Sequence, residues 1–195
     1  MSLFPETLPT DAEILAFLPL AEFKAHLRLT DTAEDAVAEA ILLEVYRVMD
    51  GRDGYLGRAI LPQTWRLVLD YFPARIVLPL PNLISIASIK YLSSAGDEVT
   101  LSPGDYAVIS GDRARIIPAK GKSWPSTWDF PAAVEVTFQA GFADVEAIPP
   151  PIKRAIFLQA ATIFENRESI LVGNFALRPL RSAMDLLTPY REMEF

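Results

Sequence analysis

The sequence predicts an α+β fold: a helical core of long antiparallel helices, an antiparallel β meander inserted into it, and a short C-terminal helix. Three observations carry this. Pro149 to Glu168 has the pattern of a well-bounded buried helix, the hydrophobic period changes from helical to alternating at Leu61, and turn signals then punctuate the chain as far as Ala140. In the buried helix, Pro150 and Pro151 stand where a helix begins, because proline lacks only an N–H that the first turn does not use. Ile152, Ile156, Gln159 and Ile163 share one face, while Phe157, Leu158, Ala160, Ala161 and Phe164 spread apolar surface around the rest of the cylinder. A helix so apolar needs cover on more than one side, from the chain itself or from neighbouring subunits.

The chain has 195 residues, 51% hydrophobic and 22% charged, which places it with folded rather than disordered sequences. One domain over 1–195 is expected, divided into an N-terminal arm (1–19), helical core segments (20–60 and 149–170), the β insertion (61–142) and a C-terminal segment (171–195). No apolar run approaches the roughly 20 residues of a membrane span, and Glu6 and Asp11 stand where a signal peptide would be basic. A soluble chain without an export signal is the expectation. Zero cysteines exclude disulfides, thiolate metal sites and cysteine nucleophiles, and suit a reducing compartment. A net charge of −7 argues against gripping a phosphate backbone, which takes clustered Lys and Arg.

In the arm, Thr10 and Glu13 have capping-box spacing ahead of Ile14, Leu15, Phe17 and Leu18. Leu20 to Leu29 follows as a helix with Leu20, Phe23 and Leu27 on its stripe. His26, the single histidine, lies off that stripe and has a surface or capping role rather than a chemical one. A longer helix is expected from about Ala33 to Leu56, capped by Thr32, with Val37, Ala40, Ile41, Val45 and Val48 buried. Glu34, Asp35, Glu39 and Glu44 then form its solvated face rather than a metal site. The glycines of Gly51 to Gly57 match no phosphate-binding spacing and close a helix end instead.

Beyond Leu61, strands are expected around Trp65 to Leu69, Ile76 to Leu78, Ser88 to Leu92, Glu98 to Leu101, Tyr106 to Ser110, Arg113 to Ile117 and Ala133 to Ala140. Ser94 to Asp97 is a hairpin turn. Lys120 and Lys122 beside Trp124 and Trp128 have the residue types of a single-strand nucleic-acid site, but in an acidic chain the tryptophans serve better as cover for the open end of the sheet. Asp97, Asp105 and Asp112 would be the carboxylates of a small hydrolase, yet they occupy turns that favour aspartate anyway. A monomeric protein-binding module using a sheet edge is the other alternative. Ser169 to Leu177 is apolar but carries Gly173 and Asn174, and Pro179 to Leu187 closes the chain with a short amphipathic helix stopped at Thr188-Pro189.

Several segments in a fixed order resemble one family. They are Leu20-Ala21-Glu22-Phe23-Lys24-Ala25-His26-Leu27-Arg28, Gly57-Arg58-Ala59-Ile60 leading to Gln63-Thr64-Trp65, Leu78-Pro79-Leu80-Pro81, and Ile86 to Tyr91. Asp105-Tyr106, Ala140-Gly141-Phe142, Ile148 to Ile156, Glu165-Asn166-Arg167-Glu168 and Leu186 to Arg191 continue the series. Together they resemble the head-tail connector (adaptor) proteins of long-tailed phages and related gene transfer agents. The resemblance implies a structural virion protein at the head-tail junction: a ring of twelve copies under the portal protein. The ring would continue the DNA channel without binding DNA specifically and present a surface to a tail-side stopper or tail-terminator protein. It brings no catalytic residue, cofactor or metal ligand, and no membrane contact. Carried over by local motif, Leu180, Met184, Leu187 and Tyr190 are candidates for docking on the portal, and Glu165, Arg167 and Glu168 for contacts between subunits.

Overall fold

The computed structural model describes residues 1–111, 113–166 and 181–192, and the chain divides into two compact units. Residues 1–8 and 61–143 make a unit of strands; residues 9–60 and 144–195 make a unit whose described elements are helical.

The strand unit contains β1 (Ser2–Thr7), β2 (Gln63–Leu69), β3 (Ile76–Val77), β4 (Leu83–Leu92), β5 (Glu98–Thr100), β6 (Tyr106–Ile109), β7 (Arg115–Pro118) and β8 (Val134–Ala140). They pair antiparallel in two sheets, ordered β1-β2-β8-β4-β5 and β3-β7-β6. Along β2 and β8 burial alternates residue by residue. Trp65, Leu67, Leu69, Val134, Val136 and Phe138 therefore enter a core completed by Ile76, Leu78, Leu80, Ile89 and Ile116. Gln63 is buried among them and accepts a hydrogen bond from Trp65 Nε1 at 3.0 Å. Arg66 joins three strands, lying 3.1 Å from Glu6 and 3.0 Å from Glu135. After β8 the chain turns at Gly141, where φ is +128° and a Cβ would stand 2.4 Å from the Leu61 carbonyl oxygen. Only glycine fits there.

The helical unit contains α1 (Asp11–Phe17), α2 (Leu20–Leu27), α3 (Asp35–Met49), α4 (Pro150–Glu165) and α5 (Arg181–Leu187). Its core gathers Ile14, Phe17, Phe23, Leu42, Tyr46 and Ile156. Phe23 meets Phe157 at 5.4 Å between ring centroids. Lys24 pairs with Asp35 at 2.5 Å and Lys153 with Glu22 at 2.6 Å, tying α2 to α3 and to α4.

The capping box at α1 forms as expected: Glu13 N–H donates to Thr10 Oγ1 at 3.3 Å, and Thr10 N–H donates to Glu13 Oε2 at 2.8 Å. The Thr10 backbone N–H, and next its hydroxyl, hold the Glu13 carboxyl below its ordinary value of 4.5. A depressed carboxylate stabilises the fold above its unfolded pKa, and that contribution is lost as pH falls through the folded one. Thr10→Ala is therefore expected to cost about 1 kcal/mol at neutral pH. In thermal unfolding followed by circular dichroism, its difference from the parent should shrink as the pH is taken below the ordinary carboxylate value.

The expected core of long antiparallel helices is not what the chain builds. Among the described residues the helices run 7, 8, 15, 16 and 7 residues, and the strands form two antiparallel sheets rather than a single inserted meander. The helix expected over 33–56 begins at Asp35, beyond Thr32, and ends at Met49. Asp50 turns extended (φ −88°, ψ 154°), its carboxylate accepts the Ile60 N–H at 2.7 Å, and Gly51 follows at φ +83°. The meander fails because β8, the last strand among the described residues, inserts between β2 and β4. The segment 2–7, punctuated by Pro5, is a strand at the sheet edge, where proline is tolerated. β4 starts at Leu83, five residues before the expected Ser88, carrying two register irregularities.

Candidate functional site

α5 is short, yet it is set firmly into the helical unit. Ala183 and Leu187 are fully buried, while Met184 turns into an apolar cleft of about 100 Å³ that it shares with Val45, Val48 and Met49 of α3 and Ile163 of α4. Beyond α5 the chain is held against the loop that follows α3. Glu192 N–H donates to the Leu56 carbonyl at 2.8 Å, and its carboxylate stands 3.9 Å from Arg58. The Arg191 guanidinium lies 4.8 Å above the Tyr55 ring. Gly57 makes this approach possible: its φ is +64°, and a Cβ would sit 2.8 Å from the Glu192 carbonyl oxygen. The glycine-rich 51–57 segment thus holds Arg191 and Glu192, and Gly57, expected to close the preceding helix, lies eight residues beyond its end at Met49.

Of the portal-docking candidates, Met184 and Tyr190 are partly exposed, Leu187 belongs to the core, and Leu180 lies outside the described residues. Of the subunit-contact candidates, Glu165 is exposed as the last residue of α4, where Asn166 Nδ2 donates to the Thr162 carbonyl at 2.8 Å. Arg167 and Glu168 lie outside the described residues. Asp112 does too. Asp97 and Asp105 lie in turns belonging to different sheets, and the Asp105 carboxylate is engaged by Lys122. His26 is exposed at the end of α2, its ring 6.1 Å from that of Phe157. Among the described residues no cluster of His, Asp or Glu is arranged to hold a metal ion, and no helix is long and apolar enough to cross a membrane.

In the strand unit Trp124 stacks on Phe72 at 4.8 Å, and Phe72 meets Tyr91 edge-on at 5.6 Å, so this tryptophan does cover the sheet. Trp128 and Phe130 stack at 4.7 Å and remain about half exposed beside the turn at Gly96.

The sequence pattern misassigns one face of α3. Val37, Ala40 and Val48, expected inside, are exposed, Val37 by 43% and Val48 by 64%. The buried face is instead Ala38, Ile41, Leu42, Val45, Tyr46 and Met49. The run Ala38, Leu42, Val45, Met49 has equally good helical spacing, and periodicity alone does not rank two adjoining apolar stripes.

No protein-family model and no curated protein matches the chain. Solved structures do. A chain from the neck of an empty gene transfer agent particle, computed with C6 symmetry, is 26% identical, with a TM-score of 0.74 over 100% of this chain and 97% of that one. A chain from the virion of a native gene transfer agent particle matches with the same values. A chain from the neck of a native particle, computed with C12 symmetry, is 24% identical at a TM-score of 0.67, with the same coverage. The resemblance read from the sequence, to head-tail connectors of phages and gene transfer agents, is borne out by these neck chains, whose match also takes in the first 19 residues, where the sequence motifs do not reach.

Proposed function

We propose that the chain is a structural component of the neck of a gene transfer agent or long-tailed phage. It acts there as an adaptor that assembles as a ring of twelve copies beneath the portal protein. The observation that carries this is the end-to-end similarity to gene transfer agent neck chains, at a TM-score of 0.74 with no part of this chain left over. The work of such a protein is done by contacts with other proteins. The ring joins the portal on one side and a stopper or tail-terminator protein on the other.

The segment that meets the portal is α5 with the turn that follows it, through Met184 and Tyr190, with Leu180, just ahead of α5 in the sequence, as a third candidate. Glu165, Arg167 and Glu168, at and just beyond the end of α4, serve contacts between copies. The channel passes DNA without holding it. The charge distribution supports this: the helical unit has 17 acidic against 11 basic residues, a net −6, and the strand unit 8 against 7, a net −1. Carboxylates that face the duplex repel its phosphates within about 8 Å at physiological salt, so it slides without sticking. Mass measurement of the chain with its portal ring tests the assignment.

A further inference from the structure

We infer that β6 receives an added strand from the tail-side protein: an extended acidic segment that pairs with the open edge of the three-stranded sheet through the main chain of Tyr106 and Val108. This rests on the adaptor reading proposed above. There the portal is assigned to residues 184–190 of the helical unit, which leaves the strand unit for the tail side.

The two sheets have four edges, and three of them are guarded. β1 carries Pro5 and Glu6, β5 is three residues long and begins with Glu98, and β3 is two residues long between Pro73 and Pro79. Short length, charge and proline are the means by which proteins keep an edge from pairing with another chain. β6 has neither charge nor proline. Its sequence, Tyr106-Ala107-Val108-Ile109, is rich in residues that favour strands.

The register shows which main-chain groups are open. The Asp105 carbonyl accepts the Ala119 N–H at 2.9 Å, and Tyr106 stands opposite Pro118, which has no N–H to give. Hydrogen-bonded pairs alternate along an antiparallel ladder, so Ala107 and Ile109 turn their N–H and carbonyl groups to β7 while Tyr106 and Val108 turn theirs outward. Among the described residues neither outward N–H has a partner elsewhere. Val108 and Ile109 point to opposite faces of the sheet and are 41% and 47% exposed. A strand laid along the edge would cover both.

Charge selects the occupant. Residues 73–79 and 103–122, which contain the whole small sheet, carry five basic residues against two acidic, a net +3 in a chain whose net charge is −7. Arg75, Arg115 and Lys120 are exposed, and none is in an ion pair among the described residues. An acidic extended segment answers both the charge and the open main chain, whereas duplex DNA would answer only the charge. A second copy offers no matching strand among the described residues, because its other edges are guarded and β6 on β6 makes a twofold pair instead of a ring.

Val108→Pro removes the outward N–H and leaves the bonds to β7 in place. It should keep the parent's urea midpoint by tryptophan fluorescence. Assembled on the portal ring, it should capture the purified cognate tail-side protein at least tenfold more weakly than the parent does, and Arg115→Glu with Lys120→Glu at least threefold more weakly. On the unaltered chain, residue-resolved amide hydrogen exchange should slow at Tyr106 and Val108 when the tail-side protein is added, while Ala107 and Ile109, bonded to β7, are slow throughout. Unchanged capture by a folded Val108→Pro, exchange at Tyr106 and Val108 that the bound tail-side protein does not alter, or a parent that joins the portal ring but not the tail-side protein overturns this inference while the portal contact stands. Self-association that Val108→Pro abolishes, or duplex DNA binding that the charge variant abolishes, overturns the choice of occupant. A parent that captures neither the portal ring nor the tail-side protein overturns the adaptor assignment as well.

Discussion

Phe138→Ala is expected to destabilise the strand unit by about 3–5 kcal/mol, the range for removing a fully buried aromatic side chain and leaving a cavity. Phe138 has no exposed surface and sits in β8, the central strand of its sheet, opposite Trp65 on β2 and Ile86 on β4. Packing from both neighbours converges on it, so the space it leaves does not collapse easily. All three tryptophans of the chain belong to the strand unit. Tryptophan fluorescence during urea unfolding therefore follows that unit by itself, and the midpoint should fall sharply. Gln139→Ala, one residue on and facing the other side of the sheet, should shift it little. A loss below about 1 kcal/mol for Phe138→Ala would mean that β8 is not the centre of the sheet.

The second large effect is expected at the other unit. Leu187→Ala removes a fully buried side chain from the contact of α5 with the helical core, at a cost of about 2–5 kcal/mol. A helix of seven residues has too little intrinsic stability to hold without that packing. The variant should lose helical signal in circular dichroism at lower temperature than the parent, and portal capture with it. Met184→Ala, at a partly exposed position in the cleft, should unfold close to the parent yet still capture the portal less well. If both variants melt like the parent, α5 contributes nothing to the core. If Met184→Ala together with Tyr190→Ala leaves capture intact, the 184–190 segment is not the docking element.

What was legible in the sequence was local. The Thr10–Glu13 box, the prolines that open α4, the turn after β4 and the alternation along β8 each depend on residues within a few positions of one another, and each is where the sequence puts it. What was not legible depends on distant partners. α3 stops at Met49 because Asp50 reaches Ile60, ten residues on, and β8 takes its place between β2 and β4 through pairings that span many tens of residues. The strand around Pro5 was hidden because proline counts against a strand unless it lies on an edge, and the edge is set by the fold. At the candidate site the same division holds. The amphipathic pattern of the C-terminal helix shows which of its residues are apolar; that Leu187 serves its own core and Met184 a cleft is decided by α3 and α4. The family resemblance came through the order of short motifs, each weak by itself, even though no family model matches.

The most direct test of the adaptor assignment is the mass, by light scattering, of the complex formed when the purified chain is mixed with its cognate portal ring. The assignment predicts co-migration with the portal at a fixed multi-copy ratio, twelve chains to one ring, lost in Met184→Ala with Tyr190→Ala. A chain that stays monomeric and elutes apart from the portal would contradict it.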